Sequence, residues 1–251
     1  MRLPNLVVAV AITAFGLLSV GVETAYAGQL DISPVTVTLA GGATSSTVVV
    51  TNRGTEPMRL QVSLSAWQQL PNGEMSLAPT QDVLFFPAML TLNPREARNI
   101  RVGTKVSASS VERTYRIFLQ ELPGLIRNQT ERTNAVRMLT KLSVPVFVQP
   151  AVPKARPAIT GLAVRQGKVA FQVKNGGNAH MRVQKILLRA KDSTRKLHEQ
   201  SIDGWYVLAG GVRAYEISLP PTVCDAAGTF EVDLESDAGP AQAALNARCV
   251  L

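Results

Sequence analysis

The amino-acid sequence predicts an all-β protein built as two Ig-like β-sandwich domains joined by a short Pro-rich linker. Short runs of alternating apolar and polar residues, closed every few positions by Gly, Pro or Asn, recur along the chain. A strand with one buried face requires this period of two. Apolar residues at helical spacing do not persist beyond a turn or two, which removes the helical alternative. Residues 149–157 hold Pro150, Pro153 and Pro157 with Lys154 and Arg156 between them. Proline removes backbone donors and stiffens the chain, so this stretch separates two folding units.

In chain order, residues 1–27 read as a cleaved export signal: Arg2 supplies the positive start, residues 6–20 the apolar run and Ala25-Tyr26-Ala27 the small-x-small cleavage site. The apolar run is shorter than the roughly 20 residues that cross a bilayer. The mature chain, from Gly28, is therefore expected beyond the inner membrane and not embedded in it. The first domain is expected over residues 28–148, with strands over 30–39, 47–51, 58–67, 83–86, 99–103, 114–119 and 136–148. Pro71-Asn72-Gly73 signals a hairpin between two of them. The linker spans 149–157 and the second domain 158–251, with strands over 159–164, 168–174, 181–190, 205–208, 214–219 and 228–234 and a turn at Asn175-Gly176-Gly177-Asn178. No internal sequence repeat is evident.

The formal net charge is +8, and removing residues 1–27 takes away one base, Arg2, and one acid, Glu23, so the basic balance persists. Lys and Arg are spread along the chain without interleaved aromatics, which argues against a nucleic-acid partner and for acidic or carboxylate-bearing ones. The chain has two cysteines, Cys224 and Cys249. In an oxidising compartment such a pair is expected to form a disulfide, contributing on the order of 3 kcal/mol. The two histidines, His180 and His198, make no zinc spacing with the cysteines, so no metal and no cofactor is expected. Both read as surface residues. Gly41-Gly42 and Gly210-Gly211 lack the following Lys and Ser or Thr of a phosphate loop, and Asp31, Asp82 and Glu112 are too scattered for a carboxylate pair. No catalytic constellation emerges, and binding is favoured over catalysis.

The most informative stretch is Glu112-Arg113-Thr114-Tyr115-Arg116-Ile117-Phe118-Leu119-Gln120-Glu121-Leu122-Pro123. Tyr115, Ile117 and Leu119 alternate inward, and Glu121-Leu122-Pro123 is expected to leave the sheet. After a polar loop over 124–134, Val136, Met138, Leu142, Val144, Val146 and Val148 fall on one face of a run much longer than the usual five or six residues, with Thr140 interrupting the apolar series. The pattern E-x-x-Y-R-x-x-L-x-E-x-P over 112–123 resembles the signature of the PapD-like periplasmic chaperones of bacterial pilus assembly. Thr51-Asn52-Arg53-Gly54 with Pro57 and Trp67, Phe86-Pro87 before Leu92-Asn93-Pro94, and Pro145-Val146-Phe147-Val148 before Pro150 follow that family's order and spacing. The fit suggests a divergent or archaic-type member.

The resemblance implies a periplasmic chaperone, without enzymatic activity, that stabilises pilus subunits by lending them a strand and delivers them to an outer-membrane usher. Val136, Met138, Thr140 and Leu142 are the expected subunit-binding strand, since alternating side chains on an unpaired edge fill successive pockets of a partner. Val144, Val146 and Val148 are assigned to the domain's own core. The family anchors the subunit's terminal carboxylate on an Arg early in the first strand and a Lys late in the donor strand. Here those positions fall near Thr36 and Pro145, and neither is basic. Arg101, Arg116 and Lys141 are the candidate replacements, each with the alternative of a purely structural or solvated charge. A secreted Ig-like adhesin or structural pilus component is the rival reading.

Overall fold

The computed structural model describes residues 30–40, 42–123, 138–193 and 195–249. The signal segment and Val136 lie outside the described residues. Among the described residues the first domain has ten strands: β1 (Leu30–Ser33), β2 (Val37–Leu39), β3 (Ser45–Asn52), β4 (Met58–Gln69), β5 (Met75–Ala78), β6 (Val83–Phe86), β7 (Met89–Leu92), β8 (Ala97–Thr104), β9 (Arg113–Leu122) and β10 (Lys141–Val148). They form one sheet ordered β1-β3-β8-β6 and a second ordered β2-β10-β9-β4-β5, with β7 also on β4. The run expected over 30–39 is thus split between sheets: β1 pairs antiparallel with β3, whereas β2 pairs parallel with β10. Pro34, lacking a backbone donor, falls in the crossing segment. Between the sheets, Val48, Val50, Leu60, Val62, Ile100, Val102, Ile117, Leu119, Val144 and Val146 pack one core.

The second domain comprises β11 (Pro157–Arg165), β12 (Lys168–Asn175), β13 (Met181–Lys191), β14 (Lys196–Asp203), β15 (Tyr206–Val207), β16 (Val212–Ser218), helix α1 (Pro221–Ala226), β17 (Thr229–Ser236) and β18 (Ala241–Asn246). Its sheets run β11-β12-β16 and β14-β13-β17-β18, with β15 on β13, around Val169, Phe171, Met181, Ile186, Leu188, Phe230 and Val232. Cys224 on α1 and Cys249 beyond β18 form the expected disulfide. Strands β5, β7, β14 and β18 escape the sequence reading. β14 and β18 carry charged or small residues on their exposed face, and β5 and β7 are four-residue strands, shorter than the usual period window resolves.

A repeat invisible in the sequence is present in the hydrogen bonding. Asn52 and Asn175, both fully buried, close matching turns. The Asn52 carbonyl oxygen accepts from Gly54 N–H, and its amide donates to Glu56 O and, across the sandwich, to Leu92 O. In the same way the Asn175 carbonyl accepts from Gly177 N–H while its amide donates to Ala179 O and Val207 O. A buried side-chain amide satisfied at every position stabilises the fold by specifying one turn geometry.

The two domains are joined by more than the linker. Trp67, Phe147 and Leu208 form a small apolar cluster between them, with Tyr206 packed against it. The Gln69 side chain donates to Tyr206 O at 2.8 Å and accepts from Leu208 N–H at 3.2 Å. Glu112, its side chain wholly buried, accepts from both His180 N–H and the His180 ring at 2.9 and 2.7 Å, and that ring stacks on Phe147 at 3.6 Å. His180 is therefore an interface residue, which corrects its reading as a surface histidine. The turn that places it in a polar sequence context also tucks it under the first domain. Glu121 and Leu122 also stay in β9, opposite Leu60 and Arg59. This corrects the expectation that the chain leaves the sheet there. Among the described residues, no helix is long and apolar enough to cross a membrane.

A free strand edge leading into an interdomain cleft

Strand β10 is paired along its whole length to β9, from Lys141 opposite Gln120 to Val148 opposite Arg113. On its other side, β2 covers only Val146, Phe147 and Val148. Among the described residues, Lys141 to Pro145 therefore present an edge with no strand beside it. Proline is tolerated inside a strand where its missing donor faces such an edge, and Pro145 is the last residue before β2 takes over. Upstream, the ladder to β9 is prolonged by Glu121 N–H donating to Thr140 O and Thr140 N–H to the Glu121 carboxylate. Met138 is 88% exposed and Leu139 44%. Leu142 is half-buried against the first core, and Val144, Val146 and Val148 lie within it. Within β10, successive even-numbered side chains thus pass from the domain's own core at Val148 to a half-buried Leu142, and Met138, just upstream of the strand, is in solvent. The strand begins at Lys141, five residues later than the sequence suggests.

Directly opposite residues of antiparallel strands share a face. Ser65, Arg116 and Pro145 lie in one such row, and Trp67, Thr114 and Phe147 in the next. This outer face of the second sheet looks toward the second domain. Along β9, Tyr115, Arg116 and Ile117 are all buried, so alternation of burial fails there because both faces are covered. Arg116 is 3% exposed. Its guanidinium lies 4.2 Å above the Trp67 ring and 5.8 Å from Trp205, and Nη1 donates to Ser143 Oγ at 2.8 Å. Nε and Nη2 are buried and have no hydrogen-bond partner among the described residues. Burial pulls the guanidinium below its ordinary range, with the nearby Tyr206 acting weakly in the other direction. A desolvated cation–π contact offers about 2 kcal/mol, whereas the effective cost of taking an ion out of water is several kcal/mol. The aromatic wall alone does not compensate this charge, and the two unpartnered N–H groups have the parallel geometry that a carboxylate accepts.

The other sequence-predicted residues fall elsewhere. Arg101 is on the exposed face of the first sheet, on the far side of the sandwich, and donates to Ser45 Oγ. Lys141 is exposed, 5.3 Å from the Phe118 ring. Thr36 does reach the cleft, its hydroxyl 3.4 Å from that of Tyr206, and Pro145 is the cross-strand neighbour of Arg116. Both positions where the resemblance places a base thus border the cleft without supplying one, and Arg116 enters it from the adjacent strand. Trp205 and Tyr206 are the cleft residues that sequence reasoning missed, since aromatics in a short strand carry no sign of facing another domain.

Among curated proteins none matches this chain. Solved structures do. The chaperone–tip adhesion subunit pre-assembly complex CsuC–CsuE from archaic chaperone-usher Csu pili of Acinetobacter baumannii contains a chain 15% identical, with 87% of this chain and 97% of that one covered at a TM-score of 0.59. The SafA pilin complex with the SafB chaperone from Salmonella enterica gives 16% identity, 86% and 96% coverage and a TM-score of 0.53. The E. coli chaperone DraB gives 14%, 87% and 96%, and 0.51. At these identities the likeness is one of fold, and it extends over both domains. The family model described as pili and flagellar-assembly chaperone, PapD N-terminal domain, matches residues 29–154, half of the chain and all of the sandwich that carries β10 and Arg116, and the chain belongs to that family.

Proposed function

We propose that this protein is a periplasmic chaperone that captures pilus subunits on the free edge of β10, holds their C-terminal carboxylate on Arg116 and passes them to an outer-membrane usher. The observation that carries this reading is the register that sets Arg116 beside Pro145, at the inner end of the unpaired edge. A chain adding itself to Lys141–Pro145 forms main-chain hydrogen bonds along the edge and delivers one of its ends to the cleft. Its alternate side chains meet the edge at Leu142 and the exposed Met138 just upstream of it; Val136 lies outside the described residues. A terminal carboxylate then finds the two parallel N–H groups of Nε and Nη2, the bidentate arrangement that a guanidinium provides and an ammonium does not. Arg101 and Lys141 are assigned no anchoring role. The export signal read in residues 1–27 supports periplasmic placement, and the fold relatives include chaperone–subunit complexes.

The test is co-expression of the chain with candidate subunits and recovery of the complex. Replacing Arg116 by Ala is expected to weaken capture at least about tenfold, because a buried charge-pair partner is removed. The Met138→Asp, Leu142→Asp double variant is expected to abolish it while the chain stays folded. Full-strength capture by both variants would show that neither the edge nor the anchor is used.

A further inference from the structure

Trp205 is an exposed aromatic on a closely contacted stretch of backbone. The residue is 43% exposed, yet the backbone on both sides is in close contact with its surroundings. A β-carbon on Gly204 would sit 2.4 Å from Val183 O, so only glycine permits this approach to β13. Val183 N–H donates to Trp205 O at 3.0 Å, and Tyr206 is bonded through its own carbonyl to Gln69. The ring is set edge-on against Tyr206, at 5.6 Å and 85°. Of the two rings flanking the Arg116 guanidinium, Trp67 is sealed in the interface and Trp205 opens to solvent. Large rigid aromatics beside a desolvated polar group are the usual composition of a recognition hot spot, because they add contact area at little entropic cost.

We infer that Trp205 reads the side chain of the residue that carries the bound carboxylate, favouring polypeptides whose last residue is aromatic or large and apolar. This rests on the proposed anchoring of a C-terminus by Arg116. A carboxylate held at about 2.8 Å from the guanidinium fork brings its own residue's β-carbon, two bonds from the carboxylate carbon, into the space that a ring 5.8 Å from the same guanidinium borders. The side chain of the preceding residue points the other way in an extended chain. A terminal Phe or Leu covers the open indole face. Ala leaves it in water, and a terminal Asp places a second carboxylate against an apolar surface.

The experiment uses short labelled peptides of one alternating apolar sequence ending in Phe, Leu, Ala or Asp, each as free acid and as C-terminal amide, titrated with the purified chain by fluorescence anisotropy. The Phe and Leu acids are expected to bind about fivefold tighter than the Ala acid, the size of a good aromatic contact. Trp205→Ala should remove that spread while keeping the preference for acid over amide, and Trp205→Phe should restore it. Arg116→Ala should remove the acid preference itself. Equal affinity for Phe- and Ala-ended acids in the unmodified chain, with acids still preferred, overturns the role of Trp205 and leaves the anchor standing. Equal binding of acids and amides overturns both.

Discussion

At the residue scale, single buried polar groups do work that their sequence context conceals. Arg116 is one of several arginines in the first domain, and only its cross-strand position, with Trp67 beneath it, distinguishes it from the solvated ones. Glu112 gives up its solvation to hold His180 by backbone and ring together, so the first domain reads the second through one carboxylate. Tyr115 shows the same economy with a measurable consequence. Its hydroxyl donates to Asp82 at 2.9 Å, and burial together with that carboxylate pushes its pKa up to about 12. An unfolded tyrosine ionises near pH 10. Below that value the folded and unfolded chains bind the same proton, and the full contribution is present. As pH rises from about 10 through about 12, the unfolded chain releases the proton first, so stability falls. Urea denaturation between pH 9 and 12 should therefore show a downward slope that Tyr115→Phe makes shallower, and an unchanged slope would assign the alkaline loss to other groups.

At the element scale, two strands and one turn decide what the molecule presents. Among the described residues β10 is paired on both sides at Val146–Val148 and on one side only at Lys141–Pro145, because β2 is only three residues long. Had β2 continued, the edge would be closed and nothing could pair with it. The turn from Asn175 to Asn178 fastens the linker: Asn178 N–H donates to Lys154 O, the Asn178 side-chain oxygen accepts from Lys154 N–H, and Asn175 accepts from Arg156 N–H. A β-carbon on Gly177 would lie 2.0 Å from Lys154 O. Gly177→Ala must therefore push the linker off its turn, and a loss of about 2–3 kcal/mol in the unfolding free energy is expected. A melting temperature equal to that of the unmodified chain would mean that the linker shifts freely.

At the scale of the whole molecule, the cleft exists because two sandwiches are held at one angle. Gln69 spans them with both ends of its amide, Pro71 O accepts from Ala214 N–H, and Glu112 N–H donates to Asn178 O. Gln69→Ala leaves Leu208 N–H and Tyr206 O without that partner. Small-angle scattering should then show a broader distribution of interdomain distances, and subunit capture should weaken although the variant lies outside the β10 edge. Scattering and capture identical to the unmodified chain would show that the remaining contacts suffice.

Alternation and punctuation were enough to read the all-β fold and most strands, because burial of one sheet face leaves a local trace at every second residue. The disulfide was equally legible from two cysteines in a chain whose residues 1–27 read as an export signal. The row through Leu142 could be named, but not where pairing of β10 with β2 stops, since pairing is a property of a strand about a hundred positions away in the chain. The cleft itself was not legible, although Arg116 stood among three candidate bases. Arg116, Trp67, His180, Trp205 and Tyr206 converge only when the outer face of one sheet is covered by another domain, and such cover suspends the alternation on which sequence reading depends. Local periodicity determined which residues form strands. Only the tertiary structure decided, among the described residues, which strand edge has no neighbour and which guanidinium is buried with two N–H groups unpartnered.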